Sequence, residues 1–350
     1  MINEEKTISA AETELKNCTF VKTVLMLLVI LYHSMVFWCG NWFTANPVYQ
    51  STVLCFISKW LNSFHIFAFT LVSGYIFYYI KYEKGGYDKF APFIKNKAKR
   101  LLVPYIFAAI VWVVPLQTAF LKYDFITILQ KYILGYSPSQ LWFLLMLFCV
   151  FIISWFMADF FKKSNILSGF VVLCFYGLGF LLALFIPNIF SIWTAFKYLV
   201  FFWLGFKIRQ NGSNIFTKIP LLVWIIVDII IFSLYFYISQ KDALIFEVVS
   251  IGIGFIANII GAITAFLGLQ KLASKIKWED NKIFRIFSKN SMPMYLFHQQ
   301  IIYVTIYFLN GLINPYINAL INFIVATLIS LVVSFILTKF KITRFLIGEK

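Results

Sequence analysis

Acidic residues are scarce in this 350-residue sequence, 14 Asp and Glu against 30 Lys and Arg, and charged residues of either sign make up only 13% of it. Histidine is rarer still, with three copies. The remainder is 61% hydrophobic and 20% aromatic, well beyond the apolar share of a soluble domain, so the solvent for most of the chain is lipid. No CxxC pair or metal-ligand spacing occurs. The five cysteines, Cys18, Cys39, Cys55, Cys149 and Cys174, are odd in number and scattered, which argues against a disulfide framework and against a zinc site. Cys39 and Cys55 fall in or beside one expected outer loop, and the expectation is that they remain thiols. Low-complexity segments and internal repeats are also missing. No stretch is long enough for a separate soluble domain, so any chemistry belongs inside the helix bundle.

The net charge of +16 raises the question of nucleic acid, but the basic residues cluster between apolar runs, and membrane topology accounts for them better. Nucleic-acid binding is not expected. A spanning helix needs about 20 mostly apolar residues, and ten stretches qualify: 21–39, 60–80, 101–121, 139–158, 165–186, 189–207, 219–239, 243–269, 290–309 and 317–338. Only a turn near Pro187 and Asn188 separates the fifth from the sixth, so nine is the competing count. When alternate loops are assigned to the cytoplasm, 25 of the 30 basic residues fall there, including Lys6, Lys16 and Lys22 at the start, seven residues within 81–100, and Lys339, Lys341, Arg344 and Lys350 at the end. Such asymmetry predicts both termini inside. The predicted fold class is therefore all-α, a polytopic transmembrane bundle of about ten spans. It comprises a cytoplasmic segment 1–20, a membrane domain 21–340 and a cytoplasmic tail 341–350. No small-residue cleavage site follows the first apolar run, so that run is expected to remain as an anchor.

All three histidines, His33, His65 and His298, fall inside expected spans. An ionisable side chain in hydrocarbon costs a few kcal/mol, so each one there needs a partner or a task. A lone membrane histidine is most simply a helix-packing hydrogen bond, whereas three out of three point to a shared polar site. Lys22 and His33 are eleven residues apart, close to three turns, and so share one face of the first helix about 16 Å apart along its axis. With the second span starting near 60, His65 is expected toward the outer face and His298 about 12 Å from the inner surface, so that the imidazoles mark a path outward from mid-bilayer. Ser34 and Ser73 are weaker candidates, as acyl acceptors in a covalent relay, because they lack a GxSxG-type elbow; they are expected to bond to backbone or to a neighbouring helix. Asp228, near the middle of the seventh span, is left without a role.

These residues lie in segments that together resemble one family. KTVLMLLVILYHS gives Lys22 and, after ten residues, His33; FHIFAFTLVSGYIF carries Phe64, His65, Ser73 and Gly74; KNKAKRLLVPY carries Lys97, Arg100, Pro104 and Tyr105; LWFLLMLF runs from Leu141 to Phe148; and NSMPMYLFH runs from Asn290 to His298. In that order, over roughly residues 20–340, they resemble the acyltransferase 3 family of integral membrane acyltransferases. The chain departs from the family's pattern at Thr19, where many relatives have Asp, at Phe67, where Pro is common, and at Lys97, where Arg is often seen.

The resemblance implies a membrane O-acyltransferase of the surface-polysaccharide O-acetyltransferase type, a multi-pass protein of the cell (plasma) membrane. It would move an acetyl or other short acyl group from cytoplasmic acetyl-CoA, a co-substrate, to a hydroxyl of a cell-surface or exported polysaccharide. No metal is expected. Its partners would be acyl-CoA, a glycan or polysaccharide acceptor and the bilayer, and self-association into a homo-oligomer is compatible with the sequence. The extra esterase-like domain of some relatives is not seen, so a second step of that kind would fall to a partner. Thioester transfer to an alcohol needs a base for the hydroxyl proton and donors for the oxyanion. His33 is the candidate base, with a transient acyl carrier as the second reading, and His298 or His65 would orient the acceptor, while Lys22, Lys97 and Arg100 are candidates for the CoA phosphates or thioester carbonyl. The competing reading is a polysaccharide or lipid-linked glycan transporter, since intramembrane His and Lys also mark substrate paths.

Overall fold

The computed structural model describes residues 2–40, 42, 45–212, 216 and 218–349, with side chains from Thr13 onward. Among the expected basic residues, Lys350 and the side chain of Lys6 lie outside the described residues. Among the described residues, fifteen α-helices follow one another and no strand forms. They are α1 (Ile2–Met35), α2 (Thr52–Asn62), α3 (His65–Tyr78), α4 (Phe90–Ala108), α5 (Val114–Leu121), α6 (Phe125–Ile128), α7 (Trp142–Lys163), α8 (Asn165–Phe185), α9 (Ile192–Asn211), α10 (Leu221–Ile238), α11 (Leu244–Lys275), α12 (Lys282–Lys289), α13 (Ser291–Leu309), α14 (Pro315–Thr338) and α15 (Lys341–Leu346).

Nine spans among the described residues are long and apolar enough to cross a membrane: 13–39, 52–83, 90–121, 139–163, 165–185, 189–211, 221–238, 244–275 and 315–338. The fifth and sixth expected spans are thus separate. The one expected crossing outside this set is α13. Its 19 residues rise about 28 Å, close to the thickness of the hydrocarbon core, but His298, Gln299 and Gln300 dilute its apolar character. The bundle itself buries them, because residues 293–303 are buried without a break. A helix shielded from lipid by its neighbours has no need to be apolar. With α13 there are ten crossings in alternating directions, so the described ends share one face, called here the basic face. Contacts agree with that alternation: Glu14, Glu83 and Arg209 meet at the basic face, and Asn310 bonds Val48 at the opposite one.

The segment expected as a polar N-terminal piece is helical from Ile2 and runs unbroken into the first span. The second span begins at Thr52 rather than near 60 and is broken at Ser63 and Phe64 between α2 and α3. The third joins α4 to α5 through a π-helical turn, Ala109–Val113, just before Pro115. Proline has no N–H and crowds the carbonyl one turn back, and a wider turn there lets the helix continue.

Close packing in a membrane depends on small residues, because lipid tails remove the hydrophobic drive between helices. Helices α3 and α9 meet at Gly74 and Gly205: a Cβ on Gly74 would overlap the Phe202 carbonyl, and one on Gly205 would overlap that of Leu71. The Ser73-Gly74 pair of the sequence motif is therefore a packing device. Ser73 Oγ donates to Phe69 O (3.0 Å) and Ser34 Oγ to Ile30 O (2.8 Å), both within their own helices as expected.

At the face opposite the basic one, Cys39 and Cys55 form a disulfide with Cα atoms 4.7 Å apart, contrary to the expectation of free thiols. The long loop after the first span and the early start of the second bring Cys55 back onto the end of the first. At the basic face Arg209 forks onto Glu83 (Nε to Oε1 2.7 Å, Nη2 to Oε2 2.6 Å) and also reaches Glu14 and the Tyr75 hydroxyl. It thereby ties α1, the end of the second span and α9 together.

Candidate active site

Two groups of side chains stand out, one in the bundle interior and one toward the basic face. The interior group contains all three histidines. His298, completely buried on α13, has Nδ1 2.8 Å from Tyr295 O and 3.2 Å from Met294 O. Carbonyl oxygens only accept, so Nδ1 carries the proton and Nε2 is a lone pair. That Nε2 lies 3.1 Å from Nδ1 of His33, which is also 2.9 Å from Val29 O. Both neighbours of His33 Nδ1 are acceptors, so this nitrogen is the donor and His33 Nε2 is left unprotonated. Among the described residues nothing bonds to His33 Nε2. The backbone of α13 thus fixes one tautomer, which fixes the next, and the outcome is a basic nitrogen inside the membrane.

His65 is reached through Tyr32, whose ring lies 4.7 Å from that of His33 and 5.1 Å from that of His65. The break before α3 frees the carbonyl of Leu61, and His65 Nδ1 donates to it at 2.5 Å. The three imidazoles therefore form one cluster and not the outward path expected from the sequence. His65 is thirteen residues into a span that starts at Thr52, and the contact with His33 brings His298 to the same depth as the end of α1.

Several neighbours were not foreseen. Trp42, from the loop after the first span, has its ring 5.8 Å from His33 and 4.8 Å from Tyr303. Gln299 donates from Nε2 to the Tyr303 hydroxyl (2.5 Å), while its Oε1 is buried with no hydrogen-bond partner among the described residues. Gln140 and Gln300 exchange reciprocal amide bonds (2.7 and 3.1 Å), Gln140 Nε2 also reaches Leu296 O (3.0 Å), and Tyr295 donates to Gln140 O. These bonds clamp α13 to the turn at Ser139–Leu141, just before α7, on either side of His298. The signal was the HQQ run at 298–300, three polar residues in succession inside an expected span. Among the described residues, no three His, Cys, Asp or Glu side chains are grouped as metal ligands would be.

Toward the basic face, Lys22, Lys97 and Arg100 lie within electrostatic reach of one another. Lys97 Nζ donates to the Tyr87 hydroxyl (3.1 Å) and sits 3.6 Å from the Phe151 ring centre, while Arg100 is exposed. None of the three forms an ion pair among the described residues. The nearby acid is Glu349, which feels both Arg100 and Arg344 and whose carboxyl is pushed up from its ordinary value by burial. Basic groups held this close to one another are of the type that a polyphosphate would need. Next to Lys97 is a 360 Å³ cavity lined by Tyr87, Asp88, Lys89, Pro92, Phe93 and Asn96. Lys22 of the basic group and His33 of the histidine cluster stand about three turns apart on α1.

Asp228 has a partner that the sequence did not reveal. Trp60 Nε1 donates to its Oδ2 at 3.0 Å, and its Oδ1 is buried without a bond among the described residues.

A family model described as an acyltransferase domain, that of the acyltransferase 3 family, matches residues 17–339, nearly the whole chain, with His33, His65, His298, Lys22, Lys97 and Arg100 all inside the match. Comparison with curated proteins and with solved structures gives no match. The chain belongs to the acyltransferase 3 family of membrane acyltransferases.

Proposed function

We propose that this acyltransferase moves an acetyl or other short acyl group from acyl-CoA in the cytoplasm to a hydroxyl of a cell-surface or exported polysaccharide. The observation that carries the reading is the tautomer-locked pair in which His33 Nδ1 donates to His298 Nε2. In this mechanism His33 Nε2 accepts the acceptor's hydroxyl proton as its oxygen attacks the thioester carbonyl, and the resulting imidazolium shares its Nδ1 proton with His298. Collapse of the tetrahedral oxyanion breaks the C–S bond, and the proton on His33 Nε2 passes to the departing thiolate, leaving an ester and free CoA. Lys22, Lys97 and Arg100 hold the CoA phosphates, Arg100 by paired donors. The pantetheine arm then covers the three turns of α1 between Lys22 and His33. His65 and the Trp42–Tyr303 pair face the acceptor, and an indole face is a natural platform for the C–H surface of a sugar ring.

Topology supports the same assignment of faces. Most basic residues lie at one end of the bundle, and the disulfide lies at the other, as expected if that end meets an oxidising compartment. The test is NMR of surface polysaccharide from cells with and without the gene, alongside His33→Ala confirmed to reach the membrane. Loss of O-acyl signals in both is expected. Acylation at wild-type level with His33→Ala removes His33 from the mechanism, and intact acylation with loss of exported polymer means that the protein is a transporter.

A further inference from the structure

Asp228 lies on α10 and is 3% exposed in a bundle interior that holds no cation within ion-pair distance of it among the described residues. A carboxyl group there is expensive, and a single indole N–H does not require one, since a backbone carbonyl or an amide would serve. What is special is where that indole sits. Trp60 is in the last turn of α2, immediately before the helix break, and the break is built on its backbone. The Trp60 carbonyl accepts from Ser63 N (3.1 Å) and Ser63 Oγ (2.7 Å). One residue on, the Leu61 carbonyl accepts from Phe64 N (3.2 Å) and from the His65 imidazole (2.5 Å).

The other side of the carboxyl is equally confined. A Cβ on Gly261 of α11 would lie 2.9 Å from Phe64 Cβ and 3.0 Å from Asp228 Oδ1, so the glycine lets α11 close on the broken segment and holds both groups in place. Helix α10 thereby reaches across α11 to grip α2 by a single directed bond. In lipid, where apolar packing discriminates poorly between rotations of a helix, a directed bond sets the angle at which α2 enters the break.

We infer that Asp228 is a positioning residue: by holding the Trp60 indole it fixes the break at Ser63 and Phe64, and with it the direction in which His65 presents its imidazole to Tyr32 and His33. The inference rests on the proposed role of His65 on the acceptor side. It assigns the carboxyl no proton transfer, only the acceptor oxygen facing Trp60.

The experiment uses the full-length protein in its own cells, with O-acyl content of the surface polysaccharide and membrane abundance measured for each variant. Asp228→Asn keeps an acceptor oxygen of the same reach and should acylate within about twofold of wild type. Asp228→Leu and Trp60→Phe, each of which deletes one partner, should lose tenfold or more at equal abundance, and the double variant should be no worse than either single one. In membranes supplied with acetyl-CoA and isolated unacetylated polysaccharide, the loss should appear as a raised half-saturating polysaccharide concentration with an unchanged one for acetyl-CoA, a split that general destabilisation would not produce. Asp228→Asn as inactive as Asp228→Leu overturns the inference, because the acid itself is then required. So does full activity of Trp60→Phe, or multiplicative losses in the double variant. If His33→Ala and His65→Ala also acylate normally, the functional reading has failed; if they are dead while the Asp228 and Trp60 variants are active, only this inference has.

Discussion

The bond between His33 and His298 can be given a magnitude. Before reaction it is a neutral hydrogen bond, worth about 0.5–1.5 kcal/mol. When His33 takes the acceptor's proton, the same contact joins an imidazolium donor to a neutral nitrogen, and bonds to charged groups are worth about 1.5–3 kcal/mol. Only the part that grows toward the transition state accelerates the step, so His298→Leu should forfeit roughly 1–2 kcal/mol, or about 5- to 30-fold in rate. The loss is capped because Val29 O still lies 2.9 Å from His33 Nδ1 and keeps the productive tautomer. His33→Ala removes the base outright and should cost about 10²- to 10⁴-fold. In the double variant, His298→Leu should add nothing further, since an orienting group has no task without its base. The assay is initial-rate transfer from radiolabelled acetyl-CoA to isolated polysaccharide in membrane vesicles, normalised to protein abundance. Wild-type rates for His298→Leu beside a dead His33→Ala would show that the imidazole pair is helix packing and that the tautomer argument fails. A His298→Leu loss as large as that of His33→Ala would refute the capping role of Val29.

Arg100→Ala should raise the acetyl-CoA concentration needed for half-maximal rate about tenfold while leaving that for polysaccharide unchanged; an unchanged dependence on acetyl-CoA contradicts the phosphate role. Cys39 and Cys55 should resist a membrane-impermeant maleimide on intact cells until a reductant is added, after which both should label. Labelling without reductant would mean no bond forms, and absence of labelling after reduction would put that face inside. Burial raises the Glu349 carboxyl, so the folded state holds this proton more tightly than the unfolded chain does. The associated stability is present below the ordinary Glu value of about 4.3 and is lost as pH rises through the folded value. Glu349→Gln should accordingly melt higher than wild type in detergent at pH 7 and lose that advantage near pH 4; equal melting at both pH values would refute the burial argument.

Much of this was legible in the sequence. The spans follow from runs of apolar residues, and the placement of 25 of the 30 Lys and Arg in alternate loops orders them, because lipid tolerates few departures from these rules. That His33, His65 and His298 belong together was readable from cost: three expensive side chains imply one shared site. Their mutual geometry was not, because it depends on where a helix breaks. Nothing in SKWLNSFHIF announces that α2 stops at Asn62 and α3 restarts at His65; the break is stabilised by Trp60, Ser63 and His65 through contacts made in three dimensions. The partner of Asp228 was invisible for the same reason, being 168 positions away. Trp42 lies in a loop, where tryptophan at a membrane interface is unremarkable, and only the fold brings its ring over His33.

Helix α13 shows why span counting and site finding pull against each other in this protein. It is long enough to cross, yet hydropathy alone does not select it, because HQQ interrupts its apolar run. Those residues are affordable only where neighbouring helices replace lipid as their solvent: Gln140 bonds the Gln300 amide, the backbone of α13 bonds His298, and Tyr303 accepts from Gln299. The weakest span by composition is thus well enclosed, and the enclosure is what leaves one imidazole nitrogen unprotonated and unbonded beside the buried His298. A test of that dependence is Gln300→Leu, which makes α13 more apolar but strands the Gln140 amide. If enclosure by polar bonding holds His298 in register, this substitution should lower transfer severalfold without reducing insertion; if α13 needs only to be apolar to sit correctly, transfer should be unchanged.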